Sequence, residues 1–143
     1  MNRPSRWRGV TLIELVIVVA LLGILVGIAL PNYQAHVLKS RRTDAMNALM
    51  TAASRQEQYV LDRASYTLDM KALGYPADPA LSQEGYYTFD AAQGACGSIA
   101  RCYVLTARPV AGKSQEKDAA CTSFSLASTG EQTATGTLDN LCW

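Results

Sequence analysis

The chain has 143 residues, 13 Lys/Arg against 12 Asp/Glu, and a formal net charge of +1. That length gives room for one core of ordinary size, and so even a charge balance is no electrostatic footprint for nucleic acid. No Cys-x-x-Cys occurs, and the single histidine, His36, is distant in sequence from all four cysteines, so neither a metal nor a cofactor is expected.

The first element is a membrane-grade helix. Arg3, Arg6 and Arg8 lead into Gly9, and Val10 to Leu30 is free of charge except at Glu14. These 21 residues make a helix of about 31 Å at roughly 1.5 Å per residue, which matches a hydrocarbon core of about 30 Å. The run is apolar on every face, unlike a surface helix of a soluble domain. The arginines on its N-terminal side keep the leader cytoplasmic and send the remainder across the membrane. An ordinary secretory signal puts its cleavage site after the apolar segment. Here the only processing point, Gly9, precedes it, so cutting there retains the helix. Glu14 needs a reason, because a carboxylate in a bilayer segment costs on the order of 3 kcal/mol and usually has a partner. Cleavage after Gly9 would create an α-amino group at Val10, within the first turn, where the helix dipole also favours negative charge.

The stretch Arg8-Gly9-Val10-Thr11-Leu12-Ile13-Glu14-Leu15, with the apolar run to Leu30 behind it, resembles the class III signal of type IV prepilins and pseudopilins. The likeness covers Gly9 through Pro31, with Val10 standing where the family usually carries Phe. It implies removal of residues 1–9 by a prepilin peptidase and N-methylation of Val10. It also implies that Glu14 pairs with the N-terminal amine of a neighbouring subunit during filament assembly. Gly23 and Gly27 form a small-xxx-small pair that lets helices approach closely in lipid. Pro31 should bend the helix, since it lacks an N–H and crowds the carbonyl four residues back. From Val10 onward the chain holds ten basic and twelve acidic side chains.

Beyond Pro31 the pattern turns amphipathic. Ala45, Ala48, Leu49, Ala52, Tyr59 and Val60 recur at three- and four-residue steps, and Arg41, Arg42, Asp44, Arg55 and Glu57 supply the polar side. No Gly or Pro interrupts Asn32 to Arg63 and strong helix formers dominate, so one helix is expected over about 10–62. The short basic cluster Lys39, Arg41 and Arg42 reads as a solvated face beside lipid headgroups. Residues 63–85 carry the breakers Gly74, Pro76 and Pro79 with Tyr66, Leu68, Leu73 and Tyr75 as anchors, and resemble the αβ-loop of pilins.

Four strand-like runs follow: Tyr86–Phe89, Cys102–Ala107, Ser123–Ala127, and, after the turn at Ser128–Glu131, Gln132–Thr137. Phe124 and Leu126 alternate with serines, as an antiparallel sheet laid on a helix requires. The turn Ser128-Thr129-Gly130 with the polar strand after it, and the terminal Cys142-Trp143, resemble PilE-type minor pilins of type IVa pili, a likeness that spans roughly residues 86–143. An even number of cysteines beyond a membrane points to two disulfides, with three connectivities open. The expected pairs are Cys96–Cys102, stapling the loop between the first two strands, and Cys121–Cys142. The second would tie the C-terminus to the start of the third strand, as in the disulfide-bounded region of pilins.

The expected fold is therefore α+β, the type IV pilin fold. Its parts are a leader at 1–9, a transmembrane and assembly helix at 10–30, an amphipathic continuation at 31–62, the αβ-loop at 63–85, and the sheet at 86–143. No catalytic constellation is present. His36 has no Ser or Cys partner nearby, and Gly94 and Gly97 do not open a phosphate-binding helix. Asp62, Asp69 and Asp78 are too scattered for a calcium loop, and Asp139-Asn140 is only a slight hint of one. The resemblance implies a minor pilin that supports initiation or assembly of a type IV pilus, with a secretion pseudopilin or a major fibre subunit as alternatives. The expected partners are other pilin subunits, prepilin peptidase and the inner-membrane assembly machinery, but not nucleic acid. A DNA-binding competence pilin would need a basic strip, and only Arg101, Arg108, Lys113 and Lys117 are available in the sheet region. The expected location is the inner membrane, with the C-terminal domain periplasmic, and then the cell-surface pilus.

Overall fold

The computed structural model describes residues 11–143, so Gly9, Val10 and the leader lie outside the described residues. The chain divides into two compact units, one ending at Val37 and one from Leu38 to Trp143.

Helix α1, Leu12–Arg63, runs through both units. Thr11 caps its start: the Thr11 hydroxyl accepts the Glu14 N–H at 3.3 Å, the first half of a Thr-x-x-Glu capping box. Pro31 lies inside the helix, which continues through it, and the Asn32 side-chain amide donates to the Ile28 carbonyl at 3.3 Å. The helix stops where Ala64 turns to φ +55°, the left-handed position that commonly ends helices.

In the second unit, β1 (Ala80–Leu81), β2 (Tyr87–Gln93), β3 (Tyr103–Pro109), β4 (Ser123–Ala127) and β5 (Gln132–Thr135) form a sheet. Each strand pairs antiparallel with the next in chain order. The expected count of about four strands is thus one short. Strand β1 has two residues inside the expected αβ-loop, too few for alternation to register. Short 3₁₀ turns at Ser114–Lys117 and Asp139–Cys142 complete the unit.

The core lies between sheet and helix. Tyr87, Phe89, Leu105 and Phe124 from the sheet meet Ala45, Leu49 and Ala52 from α1, all fully buried or nearly so. Alanine at two of these three helical positions lets the aromatic side chains of the sheet lie close to the helix backbone. Full burial of Leu49 contributes roughly 1.5–3 kcal/mol.

The apolar periodicity places Ala45, Leu49 and Ala52 correctly but misassigns two of their neighbours. Arg42 and Asp44, expected on the polar side, are buried, and so is Gln56. Each has a partner distant in sequence. The Arg42 guanidinium donates twice to the Asp118 carboxylate, at 2.8 and 2.9 Å. Asp44 accepts the Ser82 hydroxyl at 2.6 Å and the Glu84 N–H at 3.1 Å, fastening the segment before β2 to the helix. Gln56 clasps Thr67 in both directions, at 2.6 and 3.1 Å. A periodicity argument assigns such residues to water because their partners are not in the window.

Candidate assembly and staple sites

The unit ending at Val37 has one chemical character. An 18-residue stretch of α1 near the N-terminus has a mean hydropathy of 3.0, and none of it is buried within the structure. The large side chains from Leu12 to Leu30 are about half exposed or more. Nothing lies within 4 Å of where a side chain would begin at Gly23 or Gly27, so that small-residue face is open to another helix. Glu14 is the acidic residue of the first turn and is exposed. Its N–H is taken by the Thr11 hydroxyl, which holds the first turn helical. The Thr11-x-x-Glu14 spacing was available in the sequence as a capping signal, and apolar periodicity alone passes over it.

The second unit carries the staples. The structure brings Cys96 to Cys102 and Cys121 to Cys142, with Cα–Cα separations of 6.2 and 5.8 Å, and leaves no free cysteine. The first disulfide closes the β2–β3 loop, where a Cβ at position 94 would fall onto Cys102 Sγ, so Gly94 leaves the space the staple needs. The second joins the segment entering β4 to the C-terminal 3₁₀ turn. Around it Trp143 sets its ring edge on Phe124, centroids 5.9 Å apart, and its indole N–H donates to the Thr133 carbonyl at 2.7 Å. Leu138 and Leu141, the tail's other large apolar groups, are largely outside the core, with Leu141 82% exposed. The tail is therefore held by its disulfide, its hydrogen bonds and Trp143.

The loop between α1 and β1 is anchored by Met70 and Leu73, both buried, and by Tyr66 and Tyr75, both half-buried. The Arg55 guanidinium stacks on the Tyr75 ring at 4.3 Å and donates to the Leu73 carbonyl at 3.0 Å. Leu68, expected as an anchor, is exposed, and Met70 takes its place two residues on.

Of the basic cluster, Lys39 is exposed as expected, but the two arginines are engaged within the domain. Arg42 is paired within the core, and Arg41 stacks on Tyr86 at 4.3 Å while donating to Ser114. His36 is exposed. Among the described residues no group of His, Cys, Asp and Glu is placed to hold a metal.

Tyr87 supplies a pH test of the core. It is fully buried, and its hydroxyl lies against Gln115 without closing a well-formed hydrogen bond. Burial pushes its pKa up from about 10 to about 12. Because the folded value exceeds the unfolded one, the stability from keeping Tyr87 neutral is complete below about pH 10. It is lost as pH rises through about 12. Tyr87→Phe should flatten the fall in Tm between those limits. Circular dichroism melts of both proteins across that window check it, and parallel losses would remove Tyr87 from the account.

The comparisons with known proteins bear on both units. The family model described as type IV minor pilin ComP, DNA uptake sequence receptor, matches residues 31–125, and the prokaryotic N-terminal methylation motif matches residues 8–30. The chain belongs to the ComP family of type IV pilins. The pilin is 40% identical over 70 residues to the fimbrial protein EcpC of Eikenella corrodens, covering 49% of this chain and 46% of that one. It is 34% identical over 91 residues to the type IV major pilin protein PilA of Myxococcus xanthus, covering 64% and 40%. It is also 30% identical over 69 residues to the type II secretion system core protein G of Dickeya chrysanthemi, covering 48% and 45%. The matched stretches thus span less than half the length of these relatives. A type IV pilin structure from Shewanella oneidensis aligns with TM-score 0.46 at 22% identity, over 66% of this chain and 89% of that one. This pilin is a structural protein, not an enzyme.

Proposed function

We propose that this pilin is a minor subunit of a type IV pilus, inserted in the inner membrane with its stapled domain periplasmic, then drawn into the filament to support its assembly. The observation that carries the reading is an unburied apolar helix with a single acid in its first turn, joined to a domain of the ComP family. In this reading prepilin peptidase cuts after Gly9, Val10 is N-methylated, and Glu14 pairs with the new amine of the neighbouring subunit. The inner-membrane assembly machinery and the other pilins are its partners. A low copy number is supported by the family description; the likeness to a major pilin and to a secretion core protein keeps those roles as the competing outcomes.

Glu14→Val tests it. The variant should enter the membrane at least as well as wild type, because a buried charge is removed, yet reach sheared filaments several-fold less. Intact mass of the membrane-extracted protein should lack residues 1–9. Normal incorporation, or a wild-type mass retaining the leader, would falsify the reading.

The family description also names a DNA uptake sequence receptor, which sets a second reading against the charge argument. Direct binding of duplex DNA by the full chain in detergent decides it. A receptor should show affinity that falls steeply with salt, and no binding at low salt removes DNA as a partner.

A further inference from the structure

Strand β5 is one free edge of the sheet, and the other edge, β1, is only two residues long. A free edge exposes unpaired N–H and C=O groups and is a template for pairing with another chain. In β5 the Thr135 carbonyl accepts from Thr122 N–H and the Glu131 carbonyl, just before the strand, accepts from Ala127 N–H. In an antiparallel ladder a residue's two backbone groups share a side and alternate along the strand. Gln132 and Ala134 therefore turn their groups outward.

One of those outward groups, the Ala134 N–H, is taken by the chain's own tail. The Asn140 side-chain oxygen accepts the Ala134 N–H at 3.2 Å. Asn140 is held there by the 3₁₀ turn Asp139–Cys142. Three further attachments hold that turn: the Cys121–Cys142 disulfide, the Leu138 N–H on the Ala120 carbonyl at 3.1 Å, and the Trp143 indole on Thr133. A side-chain amide thus stands where the backbone of an added strand would bond. The strand beneath is uncharged and short, Gln-Thr-Ala-Thr, with no Pro, Lys or inward charge to discourage pairing by other means.

We propose that the C-terminal turn is an edge guard, which blocks antiparallel pairing of β5 with β5 of a second copy. A two-fold arrangement is the natural product of exposing it, since one antiparallel strand pairs symmetrically with its duplicate. The proposal rests on the sheet alone and stands whether or not the pilus reading is correct.

The test uses the full chain in detergent micelles. The double variant Asn140→Ala, Trp143→Phe removes the acceptor and the indole donor and keeps the ring and the disulfide. Hydrogen exchange of the peptide spanning Ala134 and sedimentation mass are followed over a hundredfold range of concentration. Wild type should protect Ala134 at every concentration with an unchanged mass. The variant should exchange Ala134 at least tenfold faster when dilute, then regain protection as its mass doubles relative to wild type. Wild-type protection in the variant, or fast exchange without added mass at any concentration, overturns the proposal. Should the double variant not fold, Cys121→Ser with Cys142→Ser releases the whole turn and is read in the same way.

Discussion

Asp118→Ala should lower the unfolding free energy by about 3–5 kcal/mol, the range for removing one member of a buried ion pair. The Arg42 guanidinium is held by both Asp118 oxygens, and the two side chains are 10% and 3% exposed. Removing the carboxylate takes both of these acceptors from a cation in the core, and one of the two acceptors of the Gln115 amide, which bridges Asp118 at 3.1 Å to the Leu38 carbonyl at 3.1 Å. The β3–β4 segment would keep only the Gln115–Leu38 and Arg41–Ser114 hydrogen bonds to α1. The exposed pair Arg108–Asp90, at 3.4 Å with side chains 59% and 46% exposed, is the control. Asp90→Ala should cost less than about 1 kcal/mol. Replacing both Arg42 and Asp118 by Met and Leu should recover most of the loss, since the penalty lies in the unpaired charge rather than in the pair. Denaturant unfolding of the full chain in detergent measures all three, and equal costs for Asp118→Ala and Asp90→Ala would show that burial does not set the hierarchy.

The apolar helix, the alanine-rich packing face and the alternating strand β4 were legible because each is a short-range pattern. The periodicity of Ala45, Leu49 and Ala52 lies within two turns, and Phe124 with Leu126 sets the face of a strand whose observed bounds match the expected Ser123–Ala127. What escaped is what depends on a partner far along the chain. Arg42 reaches 76 residues to Asp118 and Asp44 reaches 38 to Ser82, so residues that read as solvated polar positions are buried. Strand β1 is formed by pairing with β2 and has no pattern of its own. Of the tail's large apolar groups only Trp143 packs on the core, while Leu138 and Leu141 stay exposed. Of the residues proposed for assembly, Glu14 stands out in the sequence, and its backbone hydrogen bond with Thr11 was encoded in their spacing.

Gly136→Ala should lower Tm by on the order of 10 °C or more, from the addition of one methyl group. Gly136 has φ +132°, a region essentially reserved for glycine, and a residue forced into such a conformation costs on the order of 1–3 kcal/mol. Space adds a second penalty. A Cβ there would fall onto the Ala120 carbonyl oxygen, with the Ala120 carbon at 2.7 Å and the Cys121 nitrogen at 2.9 Å. These are backbone atoms of the strand entry and cannot swing aside as a side-chain tip would, so overpacking adds about 1–3 kcal/mol. The contact lies at a junction. Immediately after Gly136, the Thr137 and Leu138 N–H groups bond to the Ala119 and Ala120 carbonyls at 3.2 and 3.1 Å, and Cys121 is itself the disulfide partner of Cys142. Pushing the two segments apart therefore loosens the hydrogen bonds that carry the chain from β5 to its staple. Each kcal/mol is worth roughly 4–8 °C in a domain of up to about 100 residues, so the combined penalty is worth about 8 °C at the lower end and well over 10 °C through most of its range. Gly130, φ +84° with nothing within 4 Å of its added Cβ, separates the two causes: Gly130→Ala carries the conformational penalty alone. Thermal melts of the two variants should therefore differ, with Gly136→Ala well below Gly130→Ala. Matching melting temperatures would mean that the close approach to Ala120 relaxes at no cost, and that the junction is not what seats the C-terminal turn.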